Sequence, residues 1–175
     1  MLVTDIATLD ELLNGYSGAL GDDFTLYRNH TYRVVNLCVA QGSNSPVQLE
    51  KLAIAAAFHD LGIWTDRTFD YLQPSVRLAS AYFAGSGRAD WSAEITAMIL
   101  QHHKIRAYRG DWHELAEPFR RADWADVTRG LVTFGLSRGL VGDLFARWPS
   151  AASTENWRSL SSIAYARILG VHCRC

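Results

Sequence analysis

Residues 52–58, LAIAAAF, constrain the fold of this chain more than any other segment, because they are apolar at every position. A helix that is apolar all round must be covered on every side, so this segment predicts the central helix of a globular core. It is far too short to cross a bilayer, since a membrane-spanning helix needs roughly 20 apolar residues. His59 and Asp60 follow it directly. The sequence therefore places a polar pair at the end of its most buried helix.

Turn and capping patterns divide the rest of the chain into further segments of helical length. Residues 45–48, SPVQ, have the N-cap serine, the first-turn proline and the third-position glutamine that are typical of a helix start. A later helix is expected to begin either at Asp111 with Glu114 or at Pro118, and a last one to run from about Thr154 to Leu169. No segment alternates apolar and polar residues over the length of a strand. We therefore predict an all-α fold, with residues 1–175 forming a single domain.

Composition narrows the function classes. A chain of 175 residues is long enough for one domain with a real core, and a net charge of −1 gives no field that would attract nucleic acid or a membrane surface. We expect neither nucleic acid nor a membrane as a partner.

The N-terminal segment lacks a basic region, and the 3 cysteines do not make a disulfide framework, so a cytoplasmic location is expected. The many aromatic residues are expected in the core or at an interface, which leaves a homodimer open.

Several polar residues share a helical face with apolar ones and are therefore expected to point inward. His30 shares its face with Tyr27, Val34, Leu37 and Cys38. His102 shares its face with Ile95, Met98, Ile99 and Ile105. Asp123 shares its face with Phe119, Val127, Leu131 and Phe134. A single buried histidine is usually a satisfied core residue, but several histidines and carboxylates facing one interior are costly unless something compensates them. A divalent metal ion would compensate all of them together, and imidazole and carboxylate ligands suit Zn, Fe, Mn or Ni.

The order of these residues resembles the HD-domain superfamily of metal-dependent phosphohydrolases, in which a histidine, a His-Asp doublet and a distant aspartate follow one another. The matching segments are YRNHTYR at 27–33, AAFHDLG at 56–62 and RADWAD at 121–126. The resemblance covers about residues 25–130. It implies a compact helical bundle with a metal between core helices. It also implies that the ligands are His30, His59, Asp60 and Asp123.

Two departures from the family pattern bear on the metal and the substrate. Dinuclear members carry another histidine downstream of the doublet, whereas residues 78–83 here, LASAYF, contain no ligand. One divalent ion (Mn, Fe, Ni, Zn or Mg) is therefore expected, although His102 or His103 matches a further histidine of the dinuclear pattern. Some nucleotidase members have a glutamate at the position that Ile63 occupies here.

The resemblance implies hydrolysis of a small phosphorylated substrate, a phosphate ester or a nucleotide, by water that the metal activates. In that reaction His102 or His103 would protonate the leaving oxygen, and Lys104 and Arg106 would bind the phosphate. A solvated helix end explains the two cations equally well. One alternative is an HD-type hydratase or lyase acting on a small neutral substrate of the nitrile type, and another is a non-catalytic HD binding domain. The apolar Ile63 beside the doublet keeps the hydratase in consideration.

Residues outside the ligand set have two interpretations each. Asp126 lies one turn after Asp123 and either supports a ligand or pairs with Arg129. Arg33 lies one turn after His30 and either braces a ligand carboxylate or forms a surface ion pair. The C-terminal residues 172–175, HCRC, either bind metal or form a frayed tail.

Overall fold

A computed structural model describes residues 2–150 of the chain, and these residues form an all-helical domain. The α-helices are α1 Ala7–Gly15, α2 Ser17–Leu20, α3 Phe24–Ala40, α4 Pro46–Phe58, α5 Gly62–Thr65, α6 Leu72–Ser86, α7 Ser92–Gln101, α8 His113–Val127 and α9 Arg138–Arg147. Short 3₁₀ turns at Gly21–Asp23 and Ala89–Trp91 lead into α3 and α7. No β-strand occurs within the described residues. The all-α prediction is confirmed. The helix expected from about Thr154 to Leu169 and the segment 172–175 lie outside the described residues.

Helix α4 occupies the centre of the domain. Its residues 52–58 are at most 1% exposed, and α1, α3, α6, α7 and α8 all contact it. The predicted capping box is present: the Gln48 N–H donates to Ser45 Oγ over 3.2 Å, and the Ser45 N–H donates to Gln48 Oε1 over 3.1 Å. Because α4 begins at the surface and ends in the interior, the residues that follow it are delivered to the core.

Helices α3 and α8 pack against each other and against α4, which brings their polar residues to the end of α4. Helix α8 begins at His113, two residues after the first predicted start at Asp111 and with Glu114 in its first turn, whereas the alternative start at Pro118 is wrong because Pro118 lies within the helix. The Pro118 carbonyl accepts a hydrogen bond of 3.0 Å from the Gln41 side chain at the end of α3. The helix therefore extends on both sides of Pro118, which packs against α3, although proline locally favours a helix start.

Three residues that were expected on inward faces are exposed instead. Ile105 is 71% exposed, Leu131 77% and Phe134 40%. The expectation was wrong because α7 ends at Gln101 and α8 ends at Val127, so the helical spacing does not reach these positions. After α8 the chain turns through Arg129 (φ 50°) and Gly130 (φ 74°), both in the left-handed region that ends helices.

Among the described residues, no helix combines the length and the apolar character that crossing a membrane requires.

Candidate metal centre

Side chains from α3, α8 and the end of α4 meet in the interior of the domain. They are His30 on α3, His59 and Asp60 directly after α4, and Asp123 on α8. Their exposure is 1% for His30, 0% for His59, 7% for Asp60 and 1% for Asp123. The structure therefore brings together all the residues that the resemblance implied as ligands, and it buries them.

The polar atoms of this cluster lie close to one another. His30 Nε2 is 3.0 Å from His59 Nε2 and 3.5 Å from Asp123 Oδ1. His59 Nε2 is 3.3 Å from Asp60 Oδ2 and 3.7 Å from Asp123 Oδ1. Asp60 Oδ2 is 3.9 Å from His30 Nε2. Nitrogen and oxygen ligands that bind one Zn²⁺ at about 2.0–2.2 Å stand about 3–4 Å apart, so these separations suit a shared ion.

Hydrogen bonds on the far side of each ring orient the imidazoles toward the cluster. His59 Nδ1 lies 2.8 Å from the Ala56 carbonyl oxygen, and His30 Nδ1 lies 2.7 Å from Asp126 Oδ2. Since both partners are acceptors, each Nδ1 carries a proton and donates it. When such a ring is neutral, its lone pair is on Nε2, where it is available to a cation.

Several buried acceptors of the cluster have no hydrogen-bond donor among the described residues. They are Asp60 Oδ1 and both carboxylate oxygens of Asp123, and the Nε2 atom of the neighbouring His102 also lacks a partner among these residues. Buried carboxylate oxygens without partners are strongly unfavourable in a protein interior. A cation would satisfy them, and the combination of imidazole and carboxylate is a common donor set for divalent transition metals. These residues could therefore hold a metal ion.

The protonation of the cluster points to the same need for positive charge. Burial opposes a charged His59, but the charges of Asp60 and Asp123 together with hydrogen bonds to Asp60 and to the Ala56 carbonyl outweigh it and raise the pKa of His59 to about 9. Burial raises the pKa of Asp123 well above its ordinary value of 3.8, and the nearby Asp60 charge adds to the effect. Protons on these groups balance the buried carboxylates when no cation is bound, and a divalent cation would replace them.

Asp60 also belongs to a second group of candidate ligands, with His102 and His103 at the end of α7. Its Oδ1 lies 3.2 Å from His102 Nε2 and 3.8 Å from His103 Nε2. The His102 ring is oriented like that of His59, because its Nδ1 donates to the Ile99 carbonyl over 2.6 Å. His103 Nε2 is hydrogen-bonded to the Tyr71 hydroxyl. Both predicted acid–base histidines therefore adjoin the cluster.

The predicted phosphate-binding cations lie apart from this interior. Lys104 and Arg106 are exposed, and among residues 2–150 their side chains form no ion pair or hydrogen bond. The described lysines and arginines all lie more than 4.0 Å from the carboxylates of Asp60 and Asp123. The inner cluster consequently consists of imidazole and carboxylate groups.

The structure decides between the two interpretations of Asp126 and departs from both interpretations of Arg33. Asp126 pairs with Arg33 and His30 rather than with Arg129. The Arg33–Asp126 pair is buried, so Arg33 forms no surface ion pair, and it braces Asp126 rather than a ligand carboxylate. Burial alone would raise the pKa of Asp126, but the positive charge of Arg33 and the His30 hydrogen bond lower it to about 2.

The sequence interpretation missed the role of Tyr27 at the end of α4. Its one hydroxyl proton is shared between the carbonyl oxygens of Ala56 and Ala57, 3.2 and 3.1 Å away, and its oxygen accepts from the Asp60 N–H over 3.3 Å. These bonds fix the turn that carries the doublet. The spacing of Tyr27 one turn before His30 indicated an inward side chain, but it did not reveal this bonding.

Comparisons with protein-family models, with curated proteins and with solved structures found no match. The residues and their geometry therefore carry the functional conclusion.

Proposed function

We propose that this protein is a metal-dependent hydrolase that holds one divalent ion (Mn, Fe, Ni, Zn or Mg) through His30, His59, Asp60 and Asp123, and that it acts on a small phosphate ester or nucleotide. One observation carries the proposal: two imidazole Nε2 atoms, 3.0 Å apart and oriented by hydrogen bonds behind them, face buried carboxylate oxygens that lack donors. A divalent ion at this position would supply Lewis-acid chemistry and activate water.

The charge balance of the ligand set suits an anionic substrate. Two neutral imidazoles, two carboxylates and one divalent ion sum to about zero, so a phosphate would meet no net repulsion there. His102 and His103 adjoin Asp60. In this proposal one of the two histidines exchanges a proton with the leaving oxygen. Lys104 and Arg106 follow these histidines in the chain. Because both are exposed and unpaired within the described part of the chain, they are free to bind phosphate oxygens.

The test compares the wild type with Lys104→Met/Arg106→Met in a screen of phosphate esters and nucleotides, after loading with each of the five metals. A hydrogen bond to a charged group contributes about 1.5–3 kcal/mol. At about 1.4 kcal/mol per tenfold, the double variant should lose one to several powers of ten in kcat/KM. Its metal content should not change, since neither residue is a proposed ligand. Arg138→Met removes another exposed cation and is the matched control.

A hydratase or lyase acting on a small neutral substrate of the nitrile type is the second candidate. One observation favours it: among the described residues, no lysine or arginine lies within 4.0 Å of the Asp60 or Asp123 carboxylate. Free phosphate should stabilise the wild type thermally if the substrate is a phosphate ester. If phosphate gives no such protection and the double variant turns over a nitrile at the wild-type rate, the phosphohydrolase proposal is wrong.

A further inference from the structure

A carboxylate lies directly behind the ring of His30, on the side away from the cluster. Asp126 Oδ2 is 2.7 Å from His30 Nδ1, and both side chains are buried, at 4% and 1% exposed. The residues are 96 positions apart in the chain, and the packing of α3 against α8 brings them together. A carboxylate at this position can only accept, so it keeps the proton on Nδ1 and leaves the lone pair on Nε2.

Arg33 holds this carboxylate in place from the next turn of α3. Its Nε donates to Asp126 Oδ1 over 2.5 Å, and its Nη2 donates to Asp126 Oδ2 over 3.0 Å. Its Nη1 donates to the Trp148 carbonyl over 2.7 Å, and its guanidinium lies 4.5 Å from the centre of the Phe145 ring. With the planar group fixed on three sides, Asp126 has one orientation available, which is the one that meets His30.

We propose that Asp126, oriented by Arg33, is a positioning residue that fixes the tautomer and angle of His30 and thereby sets the affinity of the cluster for a divalent cation. This inference rests on the proposed metal centre and extends it beyond the ligands. Replacing a carboxylate that accepts from the distal nitrogen of a ligating histidine typically weakens metal binding by about 10–100-fold.

A purely structural ion pair would behave differently, and the same helix provides one for comparison. Arg28 on α3 forms a two-point pair with Asp10 of α1, with bonds of 2.7 and 2.9 Å. The Asp10 carboxylate also accepts from the Tyr32 hydroxyl over 2.9 Å. No histidine is among the hydrogen-bond partners of Asp10 in the described residues. Asp10→Asn therefore perturbs a two-point Arg–Asp pair on α3, more exposed than the Arg33–Asp126 pair, without touching the ligand set.

The experiment measures the Zn²⁺ dissociation constant of the full chain by competition with a chromophoric chelator. Asp126→Asn should weaken Zn²⁺ binding by about 10–100-fold, whereas Asp10→Asn should leave it unchanged. In the Zn²⁺-loaded protein labelled with ¹⁵N-histidine, the wild type should show a strongly deshielded Nδ1–H for His30. That resonance should shift or disappear in Asp126→Asn, and a change in stability alone would not move it.

Asp126→Asn leaves the buried guanidinium of Arg33 without its anion and risks unfolding the chain. The variant Arg33→Met/Asp126→Leu removes both charges, and such apolar replacements of a buried pair are often neutral in stability. It should fold, and it should still bind Zn²⁺ at least tenfold more weakly than the wild type. Wild-type affinity in this folded variant would overturn the inference alone. A wild type that binds none of Mn²⁺, Fe²⁺, Ni²⁺, Zn²⁺ or Mg²⁺ would overturn the inference together with the proposed metal centre.

Discussion

Gly62, two residues after Asp60, lies where no side chain fits. A Cβ built there would be 2.6 Å from the Tyr71 carbonyl oxygen, 2.8 Å from Pro74 Cβ and 3.0 Å from the Ser75 nitrogen, whereas 3.4–4 Å is ordinary contact. The Tyr71 carbonyl cannot move aside, because it accepts the Ser75 N–H over 2.8 Å at the start of α6. Gly62→Ala therefore has to push α5 and α6 apart.

The magnitude follows from two contributions. Overpacking of a close-packed interior costs about 1–3 kcal/mol. The hydrogen bond from the Gly62 N–H to Ser75 Oγ, 3.0 Å long, would be stretched at a further cost of about 1 kcal/mol. We expect Gly62→Ala to lower the free energy of unfolding by about 2–4 kcal/mol, and the Tm by about 2–4 °C for each kcal/mol.

Urea and thermal unfolding measure this change, and Gly85→Ala is the matched control. Gly85 lies in α6, and a Cβ there would meet nothing within 4 Å. Alanine at such a position should stabilise the protein by about 0.5–1 kcal/mol through the entropy of the unfolded chain. If Gly62→Ala remains within about 0.5 kcal/mol of the wild type, the close approach of α6 to the doublet is not as described.

Two further predictions concern the metal and pH. Removal of bound metal by a chelator should lower the Tm, since a ligand at 100 times its Kd stabilises the native state by about 2.7 kcal/mol; an unchanged melting curve after verified removal would contradict a structural role for the ion. The second prediction concerns the pKa of Glu117, which is ordinarily 4.5. Burial alone would raise this pKa, but hydrogen bonds from Arg120, the Tyr108 N–H and Arg121 lower it to about 2. Because the folded-state pKa is depressed, this stabilisation is complete above pH 4.5 and is lost as the pH falls toward 2. Urea titrations should therefore show a shallower acid dependence for Glu117→Gln, and a slope equal to that of the wild type would refute the assignment.

Local sequence patterns predicted that the residues of the inner cluster are buried, but not that they meet. The apolar run before His59 predicted a buried α4, and the helical spacing of His30 and Asp123 predicted that both point inward. Each of these inferences depends on residues within a few turns of one helix, where periodicity is informative. The resemblance to the HD-domain order then grouped His30, His59, Asp60 and Asp123 as one ligand set, without His102, which the spacing also pointed inward.

The sequence could not predict features that depend on contacts between distant segments. The pairing of Arg33 with Asp126 spans 93 positions, and local spacing offered Arg129 as an equally good partner. Ile105, Leu131 and Phe134 continue the apolar spacing of α7 and α8, yet they are exposed because both helices end before reaching them. In each case tertiary packing and the turns between helices decided the outcome.

The metal content of the purified chain tests the central claim most directly. The wild type, expressed with Mn, Fe, Ni and Zn supplied, should retain about one equivalent of a divalent transition metal in elemental analysis. Asp60→Asn should retain none, because Asp60 belongs to both groups of candidate ligands. Two equivalents in the wild type, falling to one in His102→Ala, would replace the single-ion proposal with a second ion between Asp60 and the histidines at the end of α7. No metal in the wild type under any of these conditions would contradict the account.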